Sequence, residues 1–193
     1  MWQYFQVRKL AIVRVAGICG VLLPFVVFAT LGFSIALSPW FTWTQHAISD
    51  LGIQQNTAMI FNNGIILGGI LTLIFSLGLI KILSKKIGAY LLFLSAVALI
   101  GIGLFPETIF TLHFLTSASF FILLAIALLL IGLTSKQNTF ERRMGSLALI
   151  FAFVAIGSSV FVFNLEGIAI IEALSCFPAF IWCSIVGIRM TSV

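Results

Sequence analysis

The feature that most limits how this chain can fold is a series of apolar stretches, each long enough to cross a bilayer. A helix rises about 1.5 Å per residue, so about 20 apolar residues cross a hydrocarbon core about 30 Å thick. Soluble domains carry about 25% charged residues, whereas only 8% of these 193 residues are charged. The pattern predicts an all-α polytopic membrane protein, a single six-transmembrane-helix bundle over residues 1–193. Its spans lie at about 11–36, 58–80, 87–105, 109–133, 145–163 and 167–188.

The charged residues predict how the bundle is oriented. All ten lysines and arginines lie before or at the start of the first span or follow spans two, four and six. Because positively charged loops stay on the cytoplasmic side, we expect a cell-membrane protein with both termini in the cytoplasm. The net charge of +5 follows from these membrane-flanking clusters, so it does not indicate nucleic-acid binding. The polar residues of the predicted outer half are His46, Asp50, Asn62, Asn63, Glu107, His113, Asn164, Glu166 and Glu172.

The stretch FTWTQHAISDLG, residues 41–52, separates the first two spans. Tryptophans favour the headgroup level of a membrane. We therefore expect a short interfacial helix over about 40–51, with Gly52 as its C-terminal cap. On such a helix His46 and Asp50 are four residues apart and share one flank.

Several polar side chains are predicted to lie inside the apolar spans. Glu172 has no charged neighbour in the sequence, so its carboxyl group must be protonated, hydrogen-bonded or paired across helices. His113 lies about one turn inside the fourth span, where an ionisable side chain normally faces the bundle interior. Asn62 and Asn63 could line a pocket or join helices through hydrogen bonds, and Glu107 and Glu166 are further pocket-lining candidates.

One functional interpretation is an enzyme with an outward-facing pocket, whose catalytic candidates are Ser49, Asp50, His113 and Glu172. Asp50, His113 and Glu172 would hold a divalent metal such as zinc, with Glu107 or His46 in reserve, and activate water against a lipid or small amphiphile. A metal-free alternative uses Ser49 as the nucleophile and His113 as its base. Haem held by His46 and His113 is the weakest alternative. No zinc-protease motif or nucleophile elbow is present in the sequence.

Two further interpretations involve no catalysis. The protein could bind a lipid or solute, or it could be a structural accessory subunit whose polar residues specify helix packing. Membrane lipids are the expected partners, and the Gly64-xxx-Gly68 spacing could join helices of two copies. The cysteines Cys19, Cys176 and Cys183 lie within apolar spans and are expected to be buried and free.

Four blocks of the sequence carry a resemblance to a known family. They are WFTWTQHAISDLG, FNNGIILGGILTLIFSLGL, GIGLFPETIFTLHF and IEALSCFPAFIWCSIVGIRM. Together they resemble the signature of the membrane family catalogued as domain of unknown function 998, in an archaeal-type form. The resemblance covers nearly the whole chain, implies a multi-pass fold and brings no established activity. Its pattern matches Ser49, Asp50, Leu51, Gly52, Asn62, Gly103, Pro106, His113 and Glu172, whereas His46 lies outside it.

Overall fold

The computed structural model describes residues 2–160 and 166–192, and side-chain surroundings from Leu10 onward. Over this part the chain forms long α-helices and no strand, which confirms the all-α prediction. Two short 3-10 helices, Ile48–Gly52 and Glu107–Ile109, lie in the connections. The long helices are α1 (Trp2–Ala36), α2 (Ala58–Ile82), α3 (Ile87–Leu104), α4 (Phe110–Thr134), α5 (Thr139–Ser159) and α6 (Ala169–Thr191).

The helices form a closed ring in which each one packs against its neighbours in the chain, and α6 closes the ring against α1. Short connections make successive helices antiparallel. One end of the ring, which we name the acidic end, carries the α1–α2 connection (residues 37–57), the 105–109 connection and the start of α6. The opposite end carries the 83–86 and 135–138 connections, and we name it the basic end after its lysines and arginines.

Five helical segments are long and apolar enough to cross a membrane: Leu10–Ala36, Ala58–Ile82, Ile87–Leu104, Glu107–Thr134 and Ala169–Thr191. Their outer surfaces are apolar, and side chains such as Phe25, Phe110 and Met59 are 68%, 74% and 79% exposed. A soluble protein of this size rarely exposes so much contiguous apolar surface. The predicted membrane-protein class is therefore supported by both composition and shape.

The predicted fifth span, 145–163, is not among these five segments. Helix α5 begins earlier than predicted because the Asn138 side chain caps it, accepting a hydrogen bond from the Glu141 N–H group at 2.9 Å. Its first turns consequently include Glu141, Arg142 and Arg143. Residues 161–165, where the predicted span ends, lie outside the described residues. The six-span count thus stays a prediction.

The predicted helix over 40–51 is not formed, since only Ile48–Gly52 is helical in this segment. In an α-helix the carbonyl groups of Thr44 and His46 would accept hydrogen bonds from residues four positions later. Here they accept from Gly167 and Ala169, at 2.8 and 2.9 Å. The backbone of this segment therefore bonds to the start of α6 rather than to itself. Local sequence does not predict such hydrogen bonds between distant parts of the chain.

Small residues let the helices approach closely. A Cβ atom at Gly17 in α1 would lie 2.8 Å from the carbonyl oxygen of Gly187 in α6. In α2, Gly64 and Gly68 face Thr30 and Val27 of α1, so within the chain this spacing serves the α1–α2 contact. A contact between two copies through the same glycines stays a prediction.

Candidate functional site

The α1–α2 connection lies across the acidic end and is fastened to α6. In addition to the two backbone bonds from Gly167 and Ala169, the Ile48 N–H group donates to Glu172 Oε2 at 2.5 Å. Glu172 thus finds a backbone partner in a segment 124 residues away in sequence.

The same connection meets the 105–109 connection through Ser49. Its hydroxyl group donates to Glu107 Oε1 at 2.5 Å, and the same carboxylate oxygen lies 3.7 Å from His113 Nε2. The Asp50 carboxyl group also lies near Glu107. Glu107 is therefore the centre of this polar cluster, and it joins residues from both connections and from α4.

The tautomer of His113 follows from its surroundings. Its Nδ1 atom lies 2.8 Å from the carbonyl oxygen of Phe105, and a carbonyl oxygen can only accept a hydrogen bond. Nδ1 therefore carries a hydrogen, which leaves Nε2 as the acceptor in the neutral ring. That nitrogen faces Glu107 and the hydroxyl group of Ser117, which lies 3.4 Å away.

These side chains line a cleft of about 470 Å³ between α4 and α6. Its polar wall contains Ser49, Glu107, His113, Ser117 and Glu172. Its apolar wall consists of Phe110, Phe114, Ala118, Phe121 and Ile168.

A smaller cavity of about 50 Å³ lies deeper in the bundle. It shares Ser49, Ser117, Phe121 and Glu172 with the cleft, and the rest of its lining is mostly apolar. The polar wall therefore lies where an outer cleft meets the interior of the bundle.

Two predicted site residues act on the backbone of the α1–α2 connection. Asp50 Oδ2 accepts a hydrogen bond from the Ala47 N–H group at 3.0 Å and caps the 3-10 helix. The Asn62 amide donates to the Gly52 carbonyl group at 2.9 Å. Both side chains shape the segment that presents Ser49, and neither lines the cleft.

The remaining pocket-lining candidates lie away from the cleft. His46 Nδ1 contacts Thr42, and its ring packs against Trp40 at a centroid distance of 4.9 Å. Asn63 and Glu166 are exposed. Since His46 and His113 do not line the cleft together, the cleft has no pair of histidines that could hold haem.

The donor set does not fit a metal ion either. His113 and Glu172 line the cleft, whereas Asp50 does not. Over residues 2–160 and 166–192, no three His, Cys, Asp or Glu side chains are grouped as metal ligands. Asp50, His113 and Glu172 are thus not assembled as a metal-binding set, and we derive no step through a metal.

The serine–histidine arrangement also differs from the expected one, because Ser49 donates to Glu107 rather than to His113. Sequence analysis gave Glu107 a secondary place and overlooked Ser117. The spacing His113-xxx-Ser117 is that of two residues on one helix face, and this signal could have identified Ser117.

At the basic end Glu141 is buried, although it lies next to Arg142 and Arg143 in the sequence. It is 2% exposed and accepts hydrogen bonds from the Ser84 hydroxyl group and the Gln137 N–H group, at 2.7 and 3.3 Å. Glu141 therefore joins the 83–86 connection to the start of α5. The three cysteines are buried and free, as predicted.

Comparison with known proteins gives one match. The family model described as "Protein of unknown function (DUF998)" matches residues 18–189, a range that includes all the cleft residues. Searches of curated proteins and of solved structures return no match.

Proposed function

Because the chain belongs to the DUF998 family of proteins of unknown function, we propose its role from the cleft: it binds a lipid-like amphiphile at the acidic end of the bundle. The observation that carries this proposal is the division of one cleft into a polar and an apolar wall. Ligand pockets commonly measure about 300–1,000 Å³ and combine apolar walls with a few polar groups. At about 470 Å³ the cleft lies within this range.

The two walls specify how an amphiphile would lie. Its polar head would contact Glu107, His113 and Ser117, while its apolar part would pack against Phe114 and Phe121. Two cleft-lining residues of α4, Phe110 and Phe114, are 74% and 61% exposed. A lipid could therefore enter from the bilayer without passing through water.

The acidic side chains indicate the kind of head group. Glu107 and Glu172 face the cleft, and none of its lining residues is a lysine or arginine, so the cleft offers a phosphate head no guanidinium or ammonium partner. A neutral head that carries hydroxyl or amine donors would instead hydrogen-bond to the carboxylates.

We would test this proposal with a monoacylglycerol that carries a photoreactive diazirine in its acyl chain. Ala118 lines the cleft, whereas the adjacent Ser119 is exposed. We expect cross-links on cleft-lining peptides in the wild type and in Ser119→Trp, and at least a fivefold reduction in Ala118→Trp because the indole fills the cleft. Equal cross-linking of these peptides in both variants, with equal melting temperatures, would rule the cleft out as the binding site.

The cleft also supports a second candidate, metal-free hydrolysis of an ester or amide in such an amphiphile. The specific observation is the 2.5 Å hydrogen bond from Ser49 Oγ to Glu107. Ser49 Oγ would attack the carbonyl carbon while its proton moves to Glu107, and Glu107 would return that proton to the leaving oxygen or nitrogen. Water would then release the acyl group from Ser49 by the reverse route.

A fluorophosphonate probe, which phosphonylates activated serines, tests this candidate. We expect covalent labelling of Ser49 in the purified protein, located by peptide mass spectrometry. General-base catalysis typically contributes about 10²–10⁴-fold, so Glu107→Gln should slow the labelling at least a hundredfold. Ser119→Ala is the control, because Ser119 is exposed and does not line the cleft, and it should keep the labelling. If Ser49 stays unlabelled in the wild type, the hydrolase candidate fails and the binding proposal stands.

We also propose that α5 completes a sixth span and that the acidic end faces outward. Glu141 fixes the start of α5 to Ser84 at the basic end, and Gly167 is bonded to Thr44 at the acidic end. With 21 residues, α5 is about 30 Å long, and this length is consistent with a crossing. The lysines and arginines of the basic end favour the cytoplasmic side.

A further inference from the structure

The basic end has a second cleft, of about 540 Å³, between the start of α5 and the end of α6. Its charged lining residues are Arg143 and Arg189, one from each helix, and Thr139 and Ser192 add hydroxyl groups. The remaining lining is apolar: Phe140, Met144, Leu147, Ile185 and Val186. We propose that this cleft binds an anionic phospholipid, with the phosphate between the two arginines and an acyl chain along Leu147 and Ile185.

The order of side chains along the helices matches the polarity of a lipid. Leu147 lies one turn deeper than Arg143 along α5, and Ile185 lies one turn deeper than Arg189 along α6. Ile185 is 43% exposed, so an acyl chain can reach it from the bilayer. The charged groups therefore lie at the end of the bundle and the apolar surface at hydrocarbon depth.

No acidic side chain of the described residues pairs with either arginine, so both guanidinium groups are available to a ligand. Neither forms a hydrogen bond or ion pair with the part of the chain that the structure describes. The acid nearest in sequence, Glu141, is buried and directed at Ser84 and Gln137. A guanidinium group binds phosphate through two parallel N–H donors, and two such groups from neighbouring helices can hold one phosphate.

A buried hydrogen bond also joins the two helices that form the cleft. The indole N–H group of the fully buried Trp182 donates to the Met144 carbonyl group at 3.0 Å, which fixes the distance between α5 and α6 beside the cleft. Basic pockets between transmembrane helices are typical sites for anionic lipid head groups. This inference is independent of the cleft at the acidic end.

The test compares dioleoyl phosphatidylglycerol with dioleoyl phosphatidylcholine, which has the same chains and no net charge, by native mass spectrometry of the full chain in detergent. We expect the wild type to prefer phosphatidylglycerol at least tenfold. The double variant Arg143→Gln/Arg189→Gln should lose this preference. Arg142→Gln is the matched control, because Arg142 is adjacent and exposed but does not line the cleft, and it should keep the preference.

A second variant tests the acyl-chain part and does not change any charge. Leu147→Trp places a bulky indole in the space next to the apolar wall and should weaken phosphatidylglycerol binding. Glycerol phosphate, the head group without chains, should not compete with phosphatidylglycerol for the cleft at millimolar concentration. An unchanged preference in both the double variant and Leu147→Trp would overturn the proposal. So would an equal loss in Arg142→Gln, which would indicate a general effect of charge, or competition by glycerol phosphate, which would indicate a site for free phosphate esters.

Discussion

At the scale of single residues, Gly167 allows the α1–α2 connection to approach the start of α6 closely enough to form the site. Its backbone lies directly against that of Gln45 and His46, and an added Cβ atom would overlap both. The same approach brings the Gly167 N–H group to the Thr44 carbonyl oxygen at 2.8 Å. A side chain here would push the α1–α2 connection away from α6 and away from Glu172.

We therefore predict that Gly167→Ala lowers the melting temperature by several degrees, because overpacking of this kind costs about 1–3 kcal/mol. The matched control is Gly32→Ala, since Gly32 lies in α1 with no atom near its Cβ position. Alanine is favoured over glycine in a helix by about 0.5–1 kcal/mol, so this variant should be slightly more stable. Thermal unfolding in detergent measures both, and a Gly167→Ala protein as stable as the wild type would contradict the close approach.

The polar residues also show what one sequence can reveal at this scale. Glu172 and His113 were identified because polar groups are rare in apolar spans, and Ser49 because it lies in the polar stretch between the first two spans. The structure places all three at the cleft. Their partners could not be read from the sequence. The Ile48–Glu172 and Ser49–Glu107 bonds join segments 124 and 58 residues apart, and no local pattern encodes such pairs.

At the scale of secondary-structure elements, α2, α3 and α4 begin and end close to the predicted bounds. Apolar length alone determines where such a helix can lie in a membrane. The prediction was weakest for α5 and for residues 40–51. In α5 the cap by Asn138 decides where the helix starts, and in residues 40–51 two carbonyl groups bond to the start of α6. In both places specific hydrogen bonds determine the backbone conformation, and the hydrophobicity of the sequence does not predict them.

At the scale of the whole molecule, the charge distribution and the fold make one joint prediction about topology. Cysteines placed at the acidic end, Gln55→Cys and Glu166→Cys, should react with a membrane-impermeant maleimide on intact cells. Cysteines placed at the basic end, Lys85→Cys and Ser192→Cys, should react only after the membrane is opened. The wild type is the control, because its three cysteines are buried. If Glu166→Cys reacted together with Lys85→Cys, the crossing by α5 would be wrong.

The fastening of the α1–α2 connection to α6 has a consequence for biogenesis. A ribosome releases this connection early, when the three residues that hold its backbone from the far side, Gly167, Ala169 and Glu172, have not yet been synthesised. Until α6 enters the membrane, Ile48 and Ser49 lack part of their final surroundings, and the cleft has only one of its two helical walls. The acidic-end cleft therefore forms only when α6 arrives, so a nascent chain can insert its earlier helices before the cleft exists.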